Sequence, residues 1–402
     1  ESSAASDVYK RQMKIALLGY GNIGSGVYTV LQNHTDNFEI KKILVKHDRT
    51  GGLFTRNFDE ILSDESIETI VDTMSDDQAS YEYVTAAMKA GKNVVTSNKE
   101  LVSRYLKELL GLAEENGVLF LFESTVGAGI PWIDMMHEYK QINKIDEVFG
   151  CMNGTTNFIL DLMKKDGIDF EEALLKSRML RYQEPDYFDD ISGVDSRNKL
   201  AISSMLAFNI KLNPDDIPTY GIQNIRNLDF GFFERHKLTP KLMSYACLDN
   251  NRIAAIVAPV LYKNERLRSN VGGNNNLLGF TGDVVGNIQI IGEGAGKFSA
   301  ANGIVLDLYR VLNKKPSPHF EVGDASVDET IVSYKFYFSF DQTSYKIERI
   351  LLPYVHSIYE TADSFILTTR TIGLDTCLEL LWKIEQTDER FFFAIYDDLD
   401  VI

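Results

Sequence analysis

Short apolar runs alternate with stretches of helix-spaced apolar positions through the first third of the chain. Lys14 to Leu18 reads as a strand, followed by an apolar helix over Val27 to Leu31. Strands at Ile40 to Lys46, Thr69 to Met74, Asn93 to Ser97 and Val118 to Glu123 alternate with helices near Phe58 to Leu62, Tyr81 to Ala90 and Lys99 to Asn116. Such alternation predicts an α/β domain with a parallel, doubly wound sheet, here over residues 13–140.

From Ile145 the pattern changes. A strand over Glu147 to Met152 meets Asn153-Gly154-Thr155-Thr156-Asn157, and helices follow near Phe158 to Lys164, Phe170 to Arg178 and Lys199 to Phe208. Residues 240–293 read as short strands with turns, and a helix over Ala300 to Leu312 closes an α+β domain, 141–315. Lys314-Lys315-Pro316-Ser317-Pro318 reads as a linker, since proline resists helix. Beyond it, strands at Tyr334 to Phe340, Ser364 to Arg370 and Phe391 to Tyr396, with helices at Tyr345 to His356 and Thr376 to Glu385, fit a ferredoxin-like β-α-β-β-α-β module over 321–402 whose second strand is poorly marked.

Composition narrows the class. The 402 residues exceed one ordinary core, and the net charge of −17 argues against a nucleic-acid partner. Three separated cysteines form no disulfide or metal pattern, which favours a reducing, cytoplasmic setting. No apolar run is long enough to span a membrane. Residues 1–12 are expected to be a non-native or disordered leader, with Asp7 to Gln12 resembling a translated sequencing-adapter scar.

The chemistry concentrates in a few motifs. Gly19-Tyr20-Gly21-Asn22-Ile23-Gly24 follows a strand and opens a helix, the context of a Rossmann dinucleotide fingerprint. Phosphates would sit at the helix N-terminus, where free N–H groups and the dipole favour anions. Past it, Lys46 and Arg49 could meet the 2′-phosphate of NADP, whereas Asp48 could serve the ribose of NAD; the balance inclines to NADP. Ser97, at a strand end, is either a helix cap alone or a cap that also contacts the cofactor, and Lys99 follows as a possible cleft cation.

Residues 184–199 hold five carboxylates and a lysine ahead of the apolar run Leu200 to Leu206. Asp195 and Lys199, spaced i, i+4, share a face if a helix starts near Asp195. A lysine beside carboxylates holds or passes a proton according to its desolvation. Either this is an ion-paired helix start or a catalytic cluster. Gly127-Ala128-Gly129-Ile130-Pro131 after Glu123 is either a plain turn or a cage of inward carbonyls for a monovalent cation. Gly292-Glu293-Gly294-Ala295-Gly296 permits close approach of a ligand or another backbone. Cys151, inside an apolar run without a nearby histidine, reads as a buried structural thiol.

In this order and spacing the fingerprint, Thr96 to Lys99, Phe122 to Pro131, Asn153 to Asn157, residues 184–199 and Gly294-Ala295-Gly296 resemble homoserine dehydrogenase over residues 13 to about 312. The resemblance implies NAD(P)-linked interconversion of L-aspartate 4-semialdehyde and L-homoserine, on the way to threonine and methionine, by a homodimer or homotetramer whose second domain is catalytic and dimerising. It implies that Lys199 gives a proton to the substrate oxygen. Asp195 and Glu184 would hold homoserine, with Asp190 in support and Lys99 as a second polar group by the nicotinamide. Gly19 to Gly24, Lys46, Ser75, Ser97, Arg181 and Gly294 would face the cofactor, Arg181 being a departure where the family has glycine. Glu123 with the carbonyls of Val126, Ala128 and Ile130 would match a structural sodium site. The C-terminal module resembles an ACT domain whose ligand turn, Asp341-Gln342-Thr343-Ser344, has serine in place of the expected glycine.

Overall fold

The computed structural model describes residues 12–179, 187–318, 323, 325–342, 344–361, 364–387 and 389–397. The chain divides into two compact units, residues 1–137 with 295–320 and residues 138–294 with 321–402.

The first unit opens with β1 (Met13–Leu18), α1 (Asn22–His34), β2 (Phe38–Leu44), β3 (Phe54–Thr55), α2 (Asp59–Leu62), β4 (Thr69–Asp72), α3 (Asp77–Lys89), β5 (Asn93–Thr96), α4 (Lys99–Glu115), β6 (Phe120–Leu121) and α5 (Trp132–Tyr139). The six strands form a parallel sheet in the order β3-β2-β1-β4-β5-β6. The order reverses between β1 and β4, the place where doubly wound sheets bind ligands. The last strand is shorter than the sequence suggested, because Glu123–Thr125 turns into a 3₁₀ helix.

The second unit begins with β7 (Ile145–Cys151), α6 (Gly154–Asp166), α7 (Phe170–Met179), α8 (Phe188–Ser192), α9 (Val194–Phe208) and α10 (Asn227–Arg235), then the strands β8 (Leu238–Asp249), β9 (Arg252–Lys263), β10 (Asn275–Gly282) and β11 (Gly286–Glu293). Helix α9 packs on β7 and β8. Its residues from Asn198 to Phe208 are all buried, as expected for a helix with no polar stripe to keep in water.

Helix α11 (Lys297–Leu312) returns the chain to the first unit. The sequence pattern had assigned this helix to the catalytic domain. Its apolar side, Ala301, Ile304, Val305, Leu308 and Val311, instead joins the core of Ile15, Leu17, Val27 and Leu31. Ile304 and Leu308 are wholly covered there, worth on the order of 1.5–3 kcal/mol each.

The rest of the chain adds β12 (Ser326–Val327), β13 (Ser333–Phe340), α12 (Tyr345–Leu351), β14 (Val355–Thr361), β15 (Ser364–Thr369), β16 (Ile372–Gly373), α13 (Leu374–Glu385) and β17 (Phe391–Tyr396). Strands β17-β13-β15-β14 are antiparallel neighbours, joined as β-α-β-β-α-β. The helix expected to reach His356 stops at Leu351, since Pro353 lies in a 3₁₀ turn and the next residues extend into β14. Strand β17 also pairs in parallel with β9, Ile395 beside Val260, so one eleven-stranded sheet runs through the second unit. Aromatic residues Phe336, Phe338 and Phe393 pack with Ile256 and Val260 across that seam.

Candidate active site

In the first unit, the turn after β1 is built by what its glycines lack. Gly19 has φ +94°, and a Cβ on Gly24 would stand 2.4 Å from the Gly19 carbonyl oxygen and 2.7 Å from Thr73 Oγ1. Gly21 faces open space, and helix α1 begins after it with no side-chain cap. The helix N–H groups there remain available to a pyrophosphate. These features fit a dinucleotide.

The flanking residues are distributed as follows. Arg49 lies over the Tyr20 ring at 5.1 Å, and Asp48 pairs with Arg56 at 3.4 Å. Lys46, largely exposed, approaches Asp76 at 3.7 Å. Ser75 is exposed after β4. Ser97 donates to the Asp72 carbonyl at 3.4 Å and does not cap α4: Asn98 accepts from Leu101 N and is the cap, so that expectation is corrected by one residue. Lys99 pairs with Glu100 at 3.1 Å. Asp72 escaped the sequence reading; it is wholly buried, accepts from Thr96, Ser80 and Met74 N, and burial pushes its carboxyl up to about 6.

Glu123 departs from the expected cation cage. Its carboxylate accepts from Ile133 N at 2.8 Å and Asp134 N at 3.0 Å at the start of α5, and Arg310 bonds it at 2.9 Å. Asp307 accepts from Glu123 N at 2.8 Å and from Arg310 at 2.7 Å. Both side-chain oxygens of Glu123 therefore already accept hydrogen bonds, and burial pushes the carboxyls of Glu123 and Asp307 up from the usual carboxylate range. Val126, Ala128 and Ile130 are buried, Ala128 with φ +53°, and only their main-chain carbonyls remain as donors to a cation. Among the described residues no cluster of three His, Cys, Asp or Glu is arranged to hold a metal.

The second unit brings the acidic segment together. Helix α9 starts at Val194, which puts Asp195 and Lys199 one turn apart. Gly193, at φ +90°, breaks α8 from α9 and turns Asp190 and Asp195 toward each other. Asn153, the N-cap of α6, closes the group: its Nδ2 donates to Asp190 Oδ1 at 2.6 Å and to Asp195 Oδ2 at 2.8 Å. Lys199 Nζ donates to Asp195 Oδ2 at 2.7 Å and to the Met152 carbonyl at 2.8 Å, leaving its third N–H without a described partner. Burial, and then the charge of Asp195, push Asp190 up to about 6.

Asn153 was not among the expected site residues; its place two residues after the end of β7, opening the Asn153 to Asn157 segment, was the available signal. Glu184 and Arg181 lie outside the described residues. Gly294 ends the strand region with no side chain because Asn276 fills that space. Cys151 is buried and its thiol is pushed up to about 11 by burial, which makes it an inert packing residue.

Two family models match in sequence: the homoserine dehydrogenase NAD-binding domain over residues 19–123 and homoserine dehydrogenase over 131–309. The homoserine dehydrogenase of Bacillus subtilis is 32% identical over 317 residues, covering 75% of this chain and 73% of that protein. This chain belongs to the homoserine dehydrogenase family. That of Lactococcus lactis is 30% identical over 320 residues, 75% of each chain. Among solved structures, a homoserine dehydrogenase from Thiobacillus denitrificans superposes with TM-score 0.86 at 29% identity, over 96% of this chain and 99% of that one. The Staphylococcus aureus homoserine dehydrogenase gives 0.74 at 29% identity, over 96% and 99%. As a homoserine dehydrogenase, the chain is an NAD(P)-dependent oxidoreductase acting on a CH–OH group.

Proposed function

We propose that Lys199 is the proton donor of this homoserine dehydrogenase and that NADP(H) is its preferred cofactor. The observation that carries the first assignment is the buried Lys199 ammonium, fixed by Asp195 and the Met152 carbonyl with one N–H still to give. The turn Gly19 to Gly24 would hold the dinucleotide, which would supply hydride to the aldehyde carbon or accept it from the alcohol. Negative charge then grows on the substrate oxygen, and Lys199 stabilises it and delivers the proton. Asp195 keeps the ammonium aimed. Asp190, held by Asn153, supplies negative potential for the cationic end of the amino acid, as Glu184 does in this reading.

For the cofactor, Asp48, the one acidic candidate, pairs with Arg56, while Arg49 over the Tyr20 ring and Lys46, 3.7 Å from Asp76, supply positive charge for a 2′-phosphate. We assign the main-chain carbonyls of Val126, Ala128 and Ile130 to a structural sodium ion, without the Glu123 carboxylate. The C-terminal β-α-β-β-α-β module we read as ACT-like. Asp341 is engaged by Arg226 and Ser344 caps α12, so these two turn residues are occupied within the fold.

The experiment is a comparison of NADH with NADPH on homoserine and on aspartate semialdehyde. NADPH should give the larger kcat/KM by about tenfold or more; equal or greater efficiency with NADH overturns the cofactor assignment.

A further inference from the structure

Asn276, next to the start of β10, is wholly buried, yet its carboxamide oxygen has no hydrogen-bond partner among the described residues. Buried amide oxygens are seldom left so, because an unmade hydrogen bond costs free energy that water would have supplied. The orientation is not free to reverse: Nδ2 donates to the Met152 carbonyl at 2.9 Å, and a flipped amide would set two oxygens against each other. Lys199 Nζ donates to the same carbonyl at 2.8 Å. The amide and the ammonium therefore converge on one acceptor, which sets the Asn276 carboxamide beside the Lys199 cluster.

The fold makes room for this side chain deliberately. Asn276 lies opposite Gly292 in the β10–β11 ladder, and a Cβ on Gly294 would come within 1.9 Å of Asn276 Cγ. The glycine of the Gly-Ala-Gly segment thus seats the carboxamide against Met152.

We propose that Asn276 Oδ1 accepts a hydrogen bond from the hydroxyl group of homoserine, which makes Asn276 a substrate-binding residue. This rests on Lys199 as the group that meets the reacting oxygen. The substrate carries two kinds of donor. Its ammonium is repelled from the neighbourhood of the Lys199 ammonium, whereas its hydroxyl is neutral and is carried by the oxygen that Lys199 serves. The carboxylate has no hydrogen to give, and the free aldehyde has none at that oxygen. Asn276 thereby favours the alcohol over the aldehyde in the bound state.

The test compares L-homoserine with L-2-aminobutyrate, which lacks only the hydroxyl, as ligands of the holoenzyme with oxidised cofactor. Dissociation constants come from calorimetry for 2-aminobutyrate and from pre-steady-state binding for homoserine. Asn276→Ala should weaken homoserine by roughly three- to tenfold, the size of one neutral hydrogen bond, and 2-aminobutyrate by less than twofold. Asn276→Ser, a smaller change to the packing, should show the same selective loss. Equal weakening of both ligands would mean a merely structural role, and no weakening of either would mean no contact; each overturns the proposal. A wild-type enzyme that neither binds nor oxidises homoserine would instead sink the substrate assignment, independently of any variant.

Discussion

Asp190 and Asp195 meet through one carboxamide, and their charges decide how the cluster responds to pH. Asp190 is raised to about 6 by burial and by Asp195, so the pair holds an extra proton in the fold that the open chain would release near 4. The sign for stability follows: the contribution is full below the unfolded value and is lost as pH rises through about 6. For activity the proposed role of Asp190 gives the opposite direction, because the ionised carboxylate would attract the substrate ammonium. We expect kcat/KM for homoserine to rise through pH 6, and Asp190→Asn to remove that limb and lower the plateau about tenfold. A pH profile of the variant that keeps the limb assigns it elsewhere. The spacing of Asp195 and Lys199 was legible from the sequence alone. The bridging role of Asn153 was not, since nothing local says which distant carboxylates a helix cap will meet.

At the scale of elements, the turn after β1 depends on close approach. Gly24→Ala would drive a methyl into the Gly19 carbonyl and Thr73 Oγ1. The strain is on the order of 1–3 kcal/mol. NADPH binding, followed by its fluorescence, should weaken at least tenfold, and the melting temperature should fall; unchanged affinity would show that the turn does not carry the cofactor. This fingerprint was readable because strand, glycines and helix are contiguous. That helix α11 packs in the core of the first unit was not legible, for the converse reason. Its apolar stripe is plain, but periodicity states only that a helix is half-buried, and not which core covers it. The 3₁₀ turn at Pro353 shows the same limit: β14 follows a helix directly, and its sparse alternation left Val355–Thr361 unmarked.

At the scale of the molecule, the parallel-sheet domain was legible from alternation, and the eleven-stranded sheet was not. The pairing of β17 with β9 joins residues more than a hundred positions apart, and no local pattern encodes that partnership. In the turn that we read as the ligand turn of an ACT-like module, Asp341 is tied to Arg226 of the same chain. Threonine in the millimolar range should therefore produce no cooperative inhibition in initial-rate assays; sigmoidal inhibition would mean that the module senses it.

The central claim is that Lys199 delivers the proton. Lys199→Ala, assayed with aspartate semialdehyde at saturating NADPH, should lose roughly 10²- to 10⁴-fold in kcat while NADPH binds as in the wild type. A variant that turns over within about threefold of the wild type, with cofactor binding intact, would contradict it.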